Sequence, residues 1–164
     1  MKIMNRKGMS LIELLIVIAI IGIVGSVATF GWKRYVSNAD LRTFAREVES
    51  DIKGTRQKAI SRGMCYRIVI SLSDENNKYT VQRGNNGNCE SVTSWTNMYE
   101  KDPDSLRLSA GQIIKSTSYG SNNVIFQTRG TLSAGNVVLE NNRGSNALIR
   151  SNITGKTYVT FDMQ

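Results

Sequence analysis

With 164 residues, 40% of them hydrophobic and 7% aromatic, the chain has room for one globular domain and one additional segment. Its 21 basic and 13 acidic side chains give a formal charge of +8, which permits contact with nucleic acid or acidic surfaces without demanding it. There is no histidine, no glycine-rich loop between a strand and a helix, and no cluster of metal-ligand types, so no enzyme, cofactor or metal site is expected. The carboxylates Asp74, Glu75, Asp102 and Asp104 sit in turn-like surroundings and read as turn formers.

The chain opens with a short basic stretch, Lys2, Arg6 and Lys7, that ends in Gly8. An apolar run follows, broken by one carboxylate, Glu13. From Leu14 to Phe30 there is no charge, which is about long enough to cross a bilayer as a helix. A carboxylate in such a segment is costly and asks for a function. A bare membrane anchor leaves Glu13 unexplained. An ordinary secretory signal cut after Ser26-Val27-Ala28 is the stronger rival, but its apolar region would be too long and would carry an acid near its start. Basic residues flank both ends of the run (Lys33, Arg34, Arg42 and Arg46 on the far side), so charge bias alone gives no orientation.

The helical pattern continues beyond the apolar run. Leu41, Phe44, Ala45, Val48, Ile52, Ala59 and Ile60 recur at helical spacing as one stripe, while Arg42, Arg46, Glu49, Lys53, Arg56 and Lys58 mostly fill the other faces. Gly63 suits a C-cap. A helix from Met9 to Ser61 would be about 80 Å long at 1.5 Å per residue. Trp32 and Tyr35 stand where interfacial aromatics are expected. Gly22, Gly25 and Gly31 weaken the helix more mildly than a proline would.

After Gly63 the period changes to two. Tyr66, Ile68, Ile70 and Leu72 alternate with Arg67, Val69 and Ser71, a turn spans 73–77, and Lys78 to Arg83 return as a second strand. From Gly84 to Ser105 the chain is polar and reads as a long loop holding Trp95 and Tyr99 against the sheet. The last third reads as short antiparallel strands: Ile113–Thr117, Val124–Gln127, Val137–Glu140, Ala147–Arg150 and Tyr158–Phe161. Glycine-containing turns separate them, with glycine supplying the positive φ.

The basic leader, Gly8, and an acid at the fifth residue after it together closely resemble the class III (type IV prepilin) signal of type IV pilins and type II secretion pseudopilins. The stretches V-I-F-Q-T-R-G-T-L-S-A-G, N-V-V-L-E-N-N-R-G and T-G-K-T-Y-V are similar to the C-terminal domain of H-type (GspH/FimT-like) minor pseudopilins and FimT/FimU-type minor pilins. The resemblance implies an α+β, pilin-like fold: a long N-terminal helix whose first half is membrane-embedded, packed on an antiparallel β-sheet domain. It divides the chain into a leader (1–8), a transmembrane and filament-core half-helix (9–31), an amphipathic half-helix (32–63) and a β-rich head (64–164).

By the same resemblance, a prepilin peptidase/methylase would cut after Gly8 and methylate Met9, and Glu13 would dock the subunit into a filament. Loss of the leader lowers the charge from +8 to +5. The chain would sit in the inner membrane as a single pass with a periplasmic head, in a lipid bilayer before assembly. There it would meet an assembly platform and other pilins or pseudopilins, and pass into a periplasmic or surface filament near its tip. On the exported side Cys65 and Cys89 read as a disulfide closing a loop of about 25 residues, on the order of 3.5 kcal/mol in the chain-entropy account.

The alternative function is a DNA-binding minor pilin for uptake. Some FimT-type pilins bind DNA through a Gly-Arg-x-Arg motif, and here the matching positions read Gly155-Lys156-Thr157-Tyr158. Arg129, Arg143 and Arg150 would add phosphate contacts and Tyr158 a stacking face. These charges are as readily solubility charges on turns and strand edges, so DNA is not the favoured partner. Secretion pseudopilus and type IV pilus are not distinguished by these residues.

Overall fold

The computed structural model describes residues 10–73, 76–108 and 111–164. The leader, Gly8 and Met9, and the turn carboxylates Asp74 and Glu75, lie outside the described residues. One helix, α1 (Leu11–Arg62), is followed by eight strands: β1 (Tyr66–Ser73), β2 (Asn76–Gly84), β3 (Trp95–Lys101), β4 (Ile113–Thr117), β5 (Asn123–Phe126), β6 (Gly135–Glu140), β7 (Asn146–Ser151) and β8 (Thr157–Asp162). The chain divides into two compact units, one ending at Tyr35 and one running from Val36 to Gln164.

In the first unit the helix is apolar on all sides from Leu14 to Val24. It continues through Gly22, Gly25 and Gly31, around which there is open space.

The second unit is the head. From Leu41 onward the stripe Leu41, Phe44, Ala45, Val48, Ile52 and Ala59 is buried, as the spacing requires of a helix laid on a sheet. Ile60, counted with that stripe from the sequence, is instead 42% exposed, and Thr55 takes the buried position. One turn separates Thr55 from Ala59, and Ile60 falls on the next face round. Gly63 ends the helix with φ +60°, the left-handed cap.

The strands form two four-stranded antiparallel sheets, in the orders β3-β2-β1-β5 and β4-β6-β7-β8. The first turns Tyr66, Ile68, Ile70, Tyr79, Val81, Val124 and Phe126 inward. The second contributes Ile114, Val137, Leu139, Ala147 and Ile149 to the same core. Leu72, grouped with the inward set by alternation, is 37% exposed at the end of the hairpin.

Two further expectations are corrected. The polar stretch after Gly84 is not a loop to Ser105, because β3 lies within it and pairs along β2. The turn 119–122 does take positive φ, but at Ser121 (+53°) and Asn122 (+56°) rather than at its glycine; Asn is among the residues that tolerate this region. At Gly130, Gly144 and Gly155 glycine does hold it.

Candidate functional site

In the first unit, the carbonyl of Ser10 accepts from the N–H groups of Glu13 (3.0 Å) and Leu14 (3.2 Å), which starts α1. Glu13 is thus the acid of the first turn, where the positive end of the helix dipole favours a carboxylate. Every side chain described from Ser10 to Ser26 is exposed, among them Leu11 (82%), Ile21 (64%) and Ile23 (67%). Trp32 and Tyr35 are each 70% exposed, their ring centroids 6.4 Å apart.

The head is fastened to its part of α1 at three levels. At one end, Asn38 accepts from Asn141 Nδ2 and from Ser145 Oγ, both at 2.9 Å, and donates to the carbonyl of Gln164. In the middle, Asp51 accepts from the hydroxyls of Tyr79 (2.6 Å) and Tyr99 (3.1 Å) and pairs with Lys101 (2.9 Å), which also pairs with Glu47.

Burial first, and then the Asp51 carboxylate, push the Tyr99 hydroxyl up to about 12 and the Tyr79 hydroxyl further. Burial lowers the Lys101 ammonium, but its hydrogen bonds to Glu47 and Asp51 outweigh that, and it ends above its ordinary value.

At the far end Arg56 donates from Nε to the carbonyl of Gly130 (2.6 Å) and from Nη2 to that of Thr154 (3.2 Å). Gly155 lies against the Arg56 guanidinium, where a Cβ would collide with it. Nothing in the local sequence marks Arg56 for this task, since its partners lie 74 and 98 residues away.

Cys65 and Cys89 are bonded, with their Cα atoms 5.3 Å apart, and tie the start of β1 to the segment after β2. Beside them a shallow depression is lined by Asn88, Glu90, Gln127, Thr128 and Arg129.

The five residues considered for nucleic acid are all exposed. Arg150 pairs across from Tyr158, and Lys156 lies 5.8 Å from the Tyr158 ring. Arg129 precedes the Gly130 turn that Arg56 holds beside Thr154. Arg143 stands in the turn at the other end of β7, roughly 20 Å from Arg150 at about 3.3 Å per residue.

One long helix, its later part buried on antiparallel sheets and its earlier part bare and apolar, defines a pilin-like subunit. Residues 3–29 match the prokaryotic N-terminal methylation motif, and residues 45–155 match the family described as Type II transport protein GspH. The chain belongs to the GspH family and is a minor pseudopilin- or pilin-type subunit, in a family of structural subunits.

Its fold is shared with the minor pseudopilin EpsH of the Vibrio cholerae type 2 secretion system. The TM-score is 0.57 at 9% identity, covering 74% of this chain and 97% of that one. The type IV minor pilin FimU of Pseudomonas aeruginosa is similar at TM-score 0.54 and 15% identity, covering 77% and 92%. These findings favour the filament-subunit role over a nucleic-acid receptor.

Proposed function

We propose that the chain is made as a precursor, cut after Gly8 and methylated at Met9 by a prepilin peptidase/methylase. It then waits in the inner membrane as a single pass with a periplasmic head. Through an inner-membrane assembly platform it enters a type II secretion pseudopilus or a type IV pilus near the tip, supporting protein secretion or pilus biogenesis. In this reading 1–8 is the leader, 9–31 the membrane and filament-core segment, 32–63 the amphipathic half-helix and 64–164 the head.

The observation that carries the reading is the bare apolar helix of the first unit, which lies within the match to the methylation motif and ahead of a GspH head. Such a surface requires lipid or other apolar helices around it. Inside either, Glu13 needs protonation or a cation, and the amine of Met9 on a neighbouring subunit supplies one.

N-terminal sequencing of the mature protein is expected to begin at Met9; a start at Thr29 would make the segment an ordinary signal peptide. Glu13→Ala should still be processed but be lost from sheared filaments, and normal incorporation would remove the role of Glu13. In a deletion strain, exported enzymes trapped in the periplasm and released on complementation mark a secretion pseudopilus. Normal secretion with lost piliation marks a pilus.

A further inference from the structure

Each sheet has two edges, and three of the four are defended. β3 carries a bulge at Met98, since Val81 pairs with Tyr99 and Gln82 with Asn97, and its end is pinned to α1 through Lys101. β4 carries a bulge at Lys115, and the side-chain amide of Asn77 donates to the carbonyl of Ile114 (3.1 Å) and accepts from its N–H (2.6 Å). β5 is overlaid by residues 131–133: Gln127 N–H donates to the Thr131 carbonyl, and Ser133 N–H to the Ile125 carbonyl. Bulges, charges and covering segments are the means by which an edge is kept from pairing with another chain.

Among the described residues β8 has neither a bulge nor a covering segment, and its charges stand only at its ends. Its register with β7 runs unbroken from Asn146–Asp162 to Ser151–Thr157. The N–H of Asn141 donates to the Ser145 carbonyl (3.1 Å), and the N–H of Asn152 to the Lys156 carbonyl (3.0 Å). Ladder bonds alternate from these two turns, so Ala147, Ile149 and Ser151 face β6, while Tyr158, Thr160 and Asp162 face β7. Thr157, Val159 and Phe161 therefore direct their N–H and C=O groups off the open edge, where no hydrogen bond meets them among the described residues.

The outward side chains of β8 begin basic and end acidic. Lys156, with Arg150 beside it, stands at one end and Asp162 at the other, with Tyr158 (49% exposed) and Thr160 between.

Direction narrows the occupant. β8 runs antiparallel to α1, because Gly155 packs on Arg56 while Phe161 lies 5.9 Å from the Arg42 guanidinium. Two copies joined antiparallel through β8 would point their helices in opposite directions, which subunits of one filament cannot do. This step rests on the filament reading above. In a like-oriented copy, β4 and β5 run antiparallel to β8 but are capped and overlaid. β3 runs parallel to it, from the Trp95 end to the Lys101 end beside Glu47, and is bulged.

We propose that β8 is the docking edge for a strand of a different subunit of the same filament, antiparallel to β8. The strand carries a basic residue near Asp162, an acidic one near Lys156 and Arg150, and neutral β-branched or aromatic residues between.

The test uses the full chain in cells that make the other filament subunits, with a photo-activatable residue at Thr160, at Met98 or at Ile16. Thr160 is expected to cross-link to a different pilin-like chain, identified by mass spectrometry, and Met98 is not. Val159→Pro removes an outward N–H while leaving the β7 ladder intact. It should cut the Thr160 adduct at least tenfold while Ile16 adducts to filament subunits persist. Lys156→Glu combined with Asp162→Lys should do the same, and decides the matter if the proline variant folds poorly. With Ile16 adducts present, a Thr160 adduct that is absent, formed only with a second copy, or unchanged in both variants overturns the proposal. Absence of Ile16 adducts in the otherwise native chain overturns the filament reading and this proposal with it.

Discussion

From Leu11 to Val24 the large apolar side chains of α1 are 40–82% exposed, whereas from Leu41 to Ala59 the apolar stripe is at most 5% exposed. The two segments belong to one helix but are apolar in different ways. The later one concentrates its apolar residues on a single face and finds its cover within its own chain. The earlier one is apolar all round and has no face to choose, so its cover is supplied from outside. A helix with one stripe is a part of a domain; a helix without one is an invitation to lipid or to other helices.

The contrast can be broken by substitution. Phe44→Ala opens a cavity in the core of the head and should cost about 3–5 kcal/mol, read as a lowered urea midpoint of the head in detergent. Ile18→Ala, an equally apolar change in the bare segment, should shift that midpoint by less than about 0.5 kcal/mol. Equal losses would mean that the first segment is also cover for the head.

An effect within the Phe44 range, on the order of 3.5 kcal/mol, is expected from replacing both Cys65 and Cys89 with serine, with the helix content of the first unit unchanged. The smallest is alkaline. The Tyr99 hydroxyl titrates near 10.0 in the unfolded chain and about 12 in the head, and Lys101 also keeps its proton longer when folded. The Tyr99 contribution is fully present below pH 10 and is lost as pH climbs through about 12, because the folded state then binds more protons than the unfolded one. Tyr99→Phe should flatten the decline, and an unchanged slope would show that the Tyr99 hydroxyl on Asp51 does not contribute to it.

Much of this was legible in the sequence where one period persists. The stripe on α1, the Gly63 cap and seven of the eight strands follow from spacing alone. β3 was not legible, for a definite reason: its two aromatics, Trp95 and Tyr99, are four apart and should share a face. The bulge at Met98 sends them to opposite faces, Trp95 outward to within 4.1 Å of the Arg67 guanidinium and Tyr99 inward to Asp51. A bulge erases the alternation by which strands are recognised.

Nor could spacing show that β5 joins β1 rather than its sequence neighbours β4 and β6. Of the candidate sites, the motif around Glu13 is local and therefore readable. The open edge of β8 is defined by what other segments do to the other three edges.

The Arg56 contacts also set an order of events in time. Its two acceptors lie 74 and 98 residues downstream, and Asn38 reaches 126 residues ahead to Gln164. Closure over such separations is slow and cannot begin until the distant segments have been synthesised. These fastenings of α1 to the head therefore close only after the segments that carry Gly130, Thr154 and Gln164 have been made.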